Sequence, residues 1–188
     1  MKGKVLLIIG IIFFSIPCFA QEYLLDKGNI WVGAGVAFSD AYGAYGNDLG
    51  ISIAGLYFEK ERLAIGGGIA YAGGSTDLNG LSSDTYIYQI SFLYFYAWGN
   101  KESKIFPFFE PGISLITGGS KAGEVEATIS GFGMTLSGGI IIPLSKRIGI
   151  SVSADYSYYE FIFSIDNLGE YKETTDGFGF SPGIIVSF

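Results

Sequence analysis

Histidine is absent from this sequence, and its only cysteine is Cys18. Without histidine, the usual Ser–His pair of nucleophilic catalysis cannot form. Charged residues are scarce, at 15%, whereas a soluble domain usually carries about 25%. Acidic residues outnumber basic ones by 18 to 11. This balance argues against a nucleic-acid partner, because the phosphates would be repelled.

Long apolar runs are missing after the first twenty residues, where no stretch reaches the ~18 residues that a membrane helix needs. The start of the chain has the pattern of a signal peptide. Lys2 and Lys4 precede an apolar stretch from 5 to 16, and Cys18-Phe19-Ala20 forms a small-x-small cleavage site. A membrane anchor is the alternative, but the stretch is short and the helix-breaking Pro17 ends it.

Lipid attachment at Cys18 is a second alternative for this segment, and Pro17 and Ser15 fit that processing site poorly. We therefore divide the chain into a signal peptide, residues 1–20, and one domain, residues 21–188. This domain contains no cysteine, so disulfides, thiolate catalysis and cysteine metal sites are excluded from it. The loss of Lys2 and Lys4 makes the formal net charge of −7 more negative by two.

Apolar residues alternate with period two in eight segments, a pattern typical of β-strands. One face carries large apolar side chains, whereas the other is mostly glycine, alanine and serine. Only the face of small residues fits inside a small barrel. The pattern predicts an all-β fold, an eight-stranded antiparallel up-and-down transmembrane β-barrel, rather than a soluble barrel of the lipocalin kind. The predicted strands are 30–38, 49–58, 63–72, 84–98, 105–117, 128–144, 148–163 and 177–188.

The connections between these strands alternate between long and short. Outer-membrane barrels have short periplasmic turns and longer extracellular loops, so both termini are expected in the periplasm. The long connections are net negative and the short ones net positive. We interpret the negative charge as solvation of the loops, with cation binding as the alternative. The predicted loops are 39–48, 73–83, 118–127 and 164–176, and the turns are 59–62, 99–104 and 145–147.

The last strand, residues 177–188, alternates apolar residues up to the terminal Phe188. It resembles the C-terminal signal that the barrel-assembly machinery reads in bacterial outer-membrane proteins. Residues 107–115, PFFEPGISL, are similar to a strand motif common among these proteins. The mature chain resembles the small eight-stranded family that includes outer-membrane protein X and the membrane domain of outer-membrane protein A. The resemblance implies an outer-membrane location in a Gram-negative bacterium, contact with lipid and lipopolysaccharide, and recognition of Phe188 by the assembly machinery.

Members of this family differ widely in role, and its enzymes rely on a histidine. We therefore expect no enzyme and no cofactor, but a structural or cell-surface interaction role with an unidentified surface partner. The alternative is a narrow channel or a lumenal binder of a small or lipidic ligand. No metal site is expected, because the loop carboxylates lack a ligand spacing. Three polar residues, Gln89, Glu110 and Asp155, are predicted to face the lumen, where internal polar bonding is their simplest role.

Bulky inward residues concentrate near the turn end of the strands and predict an apolar plug at the periplasmic end of the barrel. Toward the loop end the inward face turns small or polar, with Ile87 and Ile116 as exceptions. This predicts a wetter cup that opens outward. A β-bulge that shifted the alternation would instead scatter the bulky residues. The predicted plug consists of Trp31, Phe58, Phe95, Phe106 and Phe108, with Leu56, Leu93, Ile141 and Ile185 beside them.

We expect the exported protein to be cleaved after Ala20, because the apolar stretch and the small-x-small site precede that bond. N-terminal sequencing or intact-mass measurement of the mature protein should place Gln21 first, either free or cyclised. A diacylglyceryl group on Cys18 would contradict this prediction.

Overall fold

A computed structural model describes residues 24–39, 49–78, 81–99, 103–165 and 169–188. The predicted signal peptide and most of the predicted 39–48 loop lie outside the described residues. Within the described residues, no helix is long and apolar enough to cross a membrane. The strands are β1 (Ile30–Ser39), β2 (Leu49–Lys60), β3 (Leu63–Leu78), β4 (Leu81–Ala97), β5 (Phe106–Ala122), β6 (Val125–Pro143), β7 (Ile148–Ile165) and β8 (Gly169–Ser187).

The eight strands form one closed barrel in which each strand pairs antiparallel with its neighbours in sequence. Pairing of β1 with β8 closes the ring, and Ile30 and Phe188 exchange backbone hydrogen bonds of 3.1 and 2.9 Å at its turn end. The ladders β4–β5 and β1–β8 are each interrupted, opposite Pro111 and Pro182 respectively. Proline has no N–H to donate, which accounts for both gaps. The predicted fold class is confirmed.

Large apolar side chains cover the outside of the barrel, as the alternation predicted. Ile90 is 62% exposed, Leu115 67% and Phe178 70%, although all three are strand residues of the apolar face. The inward positions between them hold mainly glycine, alanine and serine. A band of large apolar side chains on the outside of a barrel is unfavourable in water and favourable in contact with lipid.

Six strands, β3 to β8, extend two or more residues further at the loop end than the alternation predicted. The predicted loop 118–127 is in fact a hairpin with only Gly123 and Glu124 between β5 and β6, and most of 73–83 and 164–176 is also strand. By contrast, β1 ends at Ser39 and β2 begins at Leu49. Among the described residues, β3–β8 therefore continue further at the loop end than β1 and β2 do.

Polarity inverts where these strands pass the aromatic residues at the loop end. The outward side changes from apolar to polar, as at Asp84 on β4, Thr128 on β6 and Glu160 on β7, whereas the inward side of β6 and β7 becomes apolar. This is the arrangement of a soluble sheet, so the extension lies in water. The inward side packs into a buried cluster, here called the loop-end cluster, which comprises Ile87, Ile116, Ile129, Tyr159 and Phe161 with Phe163 against it.

The inversion explains why the predicted strand ends were wrong. The strands were traced by following one apolar face, and that face stops being apolar at the membrane boundary although the backbone ladder continues. On β7, for example, pairing with β8 continues through Phe161 and Phe163 to Ile165, opposite Gly169. The alternation of apolar side chains thus predicts the lipid-facing part of a strand, but it does not predict where the strand ends.

A matched pair of arginine substitutions tests the inversion. Ile113 faces outward in the apolar band of β5 and Thr128 faces outward in the extension of β6; both are exposed. We expect Ile113→Arg to destabilise the folded barrel by about 2–4 kcal/mol, because a cation would enter lipid. Thr128→Arg should change the free energy of unfolding by less than about 0.5 kcal/mol. Urea titration of both variants in liposomes measures these free energies. Equal effects would contradict the inference that Ile113 contacts lipid and Thr128 contacts water.

Candidate functional site

The turn end of the lumen is filled by one apolar cluster, here called the turn-end cluster. All nine side chains predicted for the plug belong to it, seven of them buried and Leu93 and Ile185 partly buried at its edge. The strand registers stay constant past these residues, apart from one irregularity between Phe58 and Lys60 at the β2–β3 turn. The gap in the β4–β5 ladder at Phe95 does not shift the register. No bulge therefore scatters the alternation. The other members are Leu24, Leu25, Ala64 and Ala97.

Aromatic rings form the centre of the turn-end cluster. The Trp31 ring lies 4.6 Å from that of Phe58 and 5.4 Å from that of Phe95, measured between centroids. Phe95 and Phe108 stack with centroids 5.3 Å apart. These distances are those of favourable aromatic pairs. Trp31, Phe58, Phe95 and Phe106 are each at most 2% exposed, so the packing leaves almost none of their surface open to solvent.

The segment before β1 closes the cluster from below. Leu24 and Leu25 are 3% and 0% exposed, and the Leu24 carbonyl accepts hydrogen bonds from Trp31 Nε1 at 2.7 Å and Asn29 Nδ2 at 3.1 Å. The Arg62 amide donates to the Leu25 carbonyl at 2.9 Å. Gly28 turns the chain with φ of +91°, a region that favours glycine. The segment is thus held across the barrel end by polar bonds and apolar packing together.

Sequence reasoning missed Leu24 and Leu25 because they precede the first alternating segment. The available signal was a pair of adjacent leucines followed by Gly28 and Asn29, a turn pair that ends an apolar stretch. Nothing in the alternation shows that this stretch folds back into the lumen, since that depends on the space that the barrel leaves open.

The three predicted lumen residues, Gln89, Glu110 and Asp155, line the same cavity, which has a volume of about 250 Å³. Glu110 and Asp155 lie in one row across the sheet, because Glu110 pairs with Ser137 and Ser137 pairs with Asp155. The remaining polar lining is almost entirely hydroxyl: Ser39, Ser52, Ser91, Ser114, Thr135, Ser137, Ser151, Ser153, Ser157 and Ser181, with Tyr159 at the loop end. The cavity lies directly above the turn-end cluster, with which it shares Trp31, Phe95 and Phe108.

Hydrogen bonds connect several of these lumen groups. Gln89 Nε2 donates to Ser91 Oγ at 3.1 Å, and the Thr135 and Ser157 hydroxyls are 3.1 Å apart. Asp155 accepts longer bonds from Ser157 at 3.5 Å and from Ser181 at 3.4 Å. Distances of this length correspond to weak hydrogen bonds. The lumen is thus partly bonded internally.

The loop-end cluster corrects the prediction that the inward face becomes small or polar toward the loop end and forms a wetter cup that opens outward. Ile87 and Ile116 were noted as exceptions, and the structure shows that they are buried together with Ile129, Tyr159 and Phe161. The interior is therefore apolar, then polar, then apolar along the barrel on the β4–β7 side. Ile129, Tyr159, Phe161 and Phe163 lie within the predicted strands, on the face opposite to the large apolar one, where the pattern predicts small or polar residues near the loop end.

Charged side chains on the extension pair with one another across the hairpins. Lys121 and Glu126 form an ion pair, and Lys172 lies 3.6 Å from Glu160. The hydrogen bond between Lys121 and Glu126, followed by their charge attraction, raises the pKa of Lys121 and lowers the pKa of Glu126. Both groups therefore stay ionised near neutral pH. In the described parts of the chain, no group of three or more His, Cys, Asp or Glu is placed to hold a metal ion.

No protein-family model and no curated protein matches the sequence. Solved structures do match. The outer-membrane protein OprG from Pseudomonas aeruginosa is 14% identical with a TM-score of 0.64, covering 90% of this chain and 99% of that one. Neisserial surface protein A is 13% identical with a TM-score of 0.61, covering 85% and 96%.

Ail, the attachment invasion locus protein of Yersinia pestis, is 13% identical with a TM-score of 0.52, covering 86% of this chain and 99% of that chain. At these identities the likeness concerns the fold. It confirms the resemblance that the alternation and the last strand indicated: the chain has the fold of the small eight-stranded outer-membrane barrels.

Proposed function

We propose that this chain is a non-enzymatic outer-membrane protein that presents a rigid interaction surface outside the cell and whose barrel is closed to ions. The observation that carries the surface role is the extension of β3–β8, in which polarity inverts and a separate apolar cluster forms. Three paired hairpins with their own core are held in a defined shape. A barrel that served only to span the membrane would not need them.

The chemistry of the surface favours a basic partner. The hairpin ends carry more acidic than basic side chains, and the two lysines there are paired with glutamates. Ail has been solved in complex with the heparin analogue sucrose octasulfate. We do not extend that ligand to this chain, because a polysulfated molecule would be repelled by its acidic hairpins. Three outward carboxylates of the described residues form no ion pair: Glu170, Asp84, which accepts a hydrogen bond from Ser75, and Asp176, which accepts one from Tyr156.

The proposed orientation puts the hairpins outside and both termini in the periplasm. Short connections such as 144–147 lie at the same end as Ile30 and Phe188, as in bacterial barrels with periplasmic turns. In this orientation the last strand, which completes the ring by pairing with β1, is available to the barrel-assembly machinery from the periplasm. Lipid and lipopolysaccharide would surround the apolar band.

The closed state of the barrel rests on the turn-end cluster. An eight-stranded barrel is just wide enough for side chains to fill its interior, and here aromatic rings and the 24–29 segment occupy one end. A hydrated ion would have to lose its water to pass such a region, which is costly. The narrow-channel alternative therefore lacks support, whereas the lumenal-binder alternative has a cavity to support it.

Epitope insertion tests the surface role. An epitope inserted after Asn79, between β3 and β4, should stain on intact cells, because the hairpin ends are predicted to be extracellular. An epitope at Lys146, in the β6–β7 turn, should stain only after the outer membrane is permeabilised. Both should stain equally in permeabilised cells, which controls for expression. Staining of intact cells at Lys146 alone would mean that the barrel is inverted.

Planar-bilayer recording tests the closed barrel. Wild-type protein should show no steady ion-selective conductance. Phe95→Ala with Phe108→Ala removes a stacked pair from the turn-end cluster and should raise conductance or lower stability, since each buried truncation costs roughly 3–5 kcal/mol. Phe92→Ala is the matched control, because Phe92 lies on the same strand and is 58% exposed on the lipid side. Steady conductance in the wild type would disprove the plug.

A further inference from the structure

Three tyrosines lie together on the outside of the barrel, near the loop end of β3 and β4. Tyr71 is directly opposite Tyr88 in the register, and their ring centroids are 5.2 Å apart. The Tyr86 ring lies 5.9 Å from that of Tyr88, on the same strand. Tyr71, Tyr86 and Tyr88 are 40%, 48% and 51% exposed. The three residues form one aromatic surface, here called the tyrosine platform.

Two glycines allow the rings of the platform to lie along the wall. A Cβ on Gly73 would collide with the hydroxyl and ring of Tyr71, and a Cβ on Gly119 would collide with those of Tyr86. Gly119 is on the outward side of β5 and is nevertheless buried, because the Tyr86 ring covers it. The Tyr71 ring thus extends along β3 toward the loop end, and the Tyr86 ring extends sideways over β5. The rings line an open surface and do not stand up around an enclosed cage.

The platform is continuous with the lipid-facing band and lies at its loop-end edge. On the turn-end side, the next outward residues of β3 and β4 are Ile69 and Ile90, which are 60% and 62% exposed. On the loop-end side, Ser75 donates a hydrogen bond to Asp84. The outer surface therefore changes from apolar to polar at the platform. Aromatic rings with a polar tip favour this level, where the headgroups of the lipids lie.

Hydroxyl groups border the platform on β5 and β6. Thr117 is opposite Tyr88, Ser130 is opposite Thr117, and Thr128 is the next outward residue of β6 toward the loop end. All three hydroxyl side chains are exposed on the outside of the barrel. Together with the Asp84 carboxylate they supply hydrogen-bond donors and acceptors beside the aromatic rings.

The charges around the platform do not favour a phosphate group. Lys121 lies opposite Asp84 and forms an ion pair with Glu126. Among the described residues at the loop end of β3–β6, no other lysine or arginine is present. A phosphate placed here would meet more negative than positive charge. A neutral polar group that is flat enough to pack on the rings fits the surface better.

We infer that the tyrosine platform binds the sugar rings of the lipopolysaccharide headgroup, with the hydroxyls of β5 and β6 as hydrogen-bond partners. A pyranose ring carries C–H groups on its faces and hydroxyls around its edge, so it packs on aromatic rings that have polar groups beside them. A belt of tyrosines that only marks the membrane boundary needs neither the two glycines beneath the rings nor the hydroxyls beside them. The position of the platform in the outer leaflet rests on the proposed orientation of the barrel.

Native mass spectrometry of the mature barrel in detergent micelles tests the site, with diphosphorylated lipid A as the probe and cardiolipin as its counterpart. Both lipids carry two phosphates and several acyl chains, but only lipid A has sugar rings. From an equimolar mixture, the wild type should retain lipid A at least about fivefold more than cardiolipin. The triple variant Tyr71→Leu, Tyr86→Leu and Tyr88→Leu should lose this preference, because leucine keeps an apolar surface but has no ring on which a sugar can stack.

A second aromatic pair on the outside of the barrel provides the matched control. The rings of Tyr156 on β7 and Phe178 on β8 are 5.2 Å apart, and the Tyr156 hydroxyl already donates a hydrogen bond to Asp176. Tyr156→Leu with Phe178→Leu should change the preference for lipid A less than twofold. Equal retention of the two lipids by the wild type, or an equal loss in this control, would overturn the inference.

Displacement of lipid A by phosphatidylethanolamine would show that the tyrosines bind an ammonium group, and this result would also overturn the inference. Heat-dependent gel mobility establishes that each variant is folded. If the triple variant does not fold, Tyr88→Leu is the second variant, because Tyr88 contacts both other rings, and it should reduce the preference at least about twofold. Micelles have no sidedness, so an inverted barrel in the epitope experiment would leave this result unchanged, and the two proposals fail separately.

Discussion

The requirement that every backbone N–H and C=O be paired where water is absent determines this structure. In lipid an open sheet edge cannot be tolerated, so β1 must pair with β8 and the ring closes at Ile30 and Phe188. Closure of eight strands leaves an interior that side chains nearly fill. Large side chains must then face outward, where lipid accepts them, and the inverted pattern of the sequence follows from the backbone rather than from any preference of individual residues.

The narrow interior also explains where the glycines stand. Leu93 on β4 has Gly66 on one side and Gly112 on the other, Phe108 is opposite Gly139, and Tyr159 is opposite Gly133. A Cβ at Gly139 would meet the Phe108 ring, and one at Gly133 would meet the Tyr159 ring. Each of these three side chains thus occupies space that a neighbouring glycine leaves free. The turn-end and loop-end clusters both depend on this complementarity.

The sequence alone could predict the membrane part of the fold and the residues of its interior. Within lipid every strand must turn large apolar side chains outward, so the residues that alternate with them face the lumen. Trp31, Phe95 and Phe108 were placed at the turn end by parity and strand direction, and the structure brings them into contact. This rule fails beyond the lipid, where the apolar side chains face inward and the polar ones outward. Ile129 and Phe161 are inward apolar residues of that part, and Leu25 packs in the lumen without belonging to a strand. The burial of these residues depends on contacts between segments that are distant in sequence, and no local pattern of residues indicates such contacts.

The two apolar clusters separate the polar middle of the lumen from bulk water. Because the turn-end cluster closes one side and the loop-end cluster covers part of the other, the cavity is shielded from bulk water over much of its surface. Charges in such a place interact more strongly than in water. Glu110 and Asp155 both line this cavity, with only Ser137 of β6 between them in the row across the sheet. The two carboxyl groups therefore affect each other more strongly in the lumen than they would on the outside of the barrel.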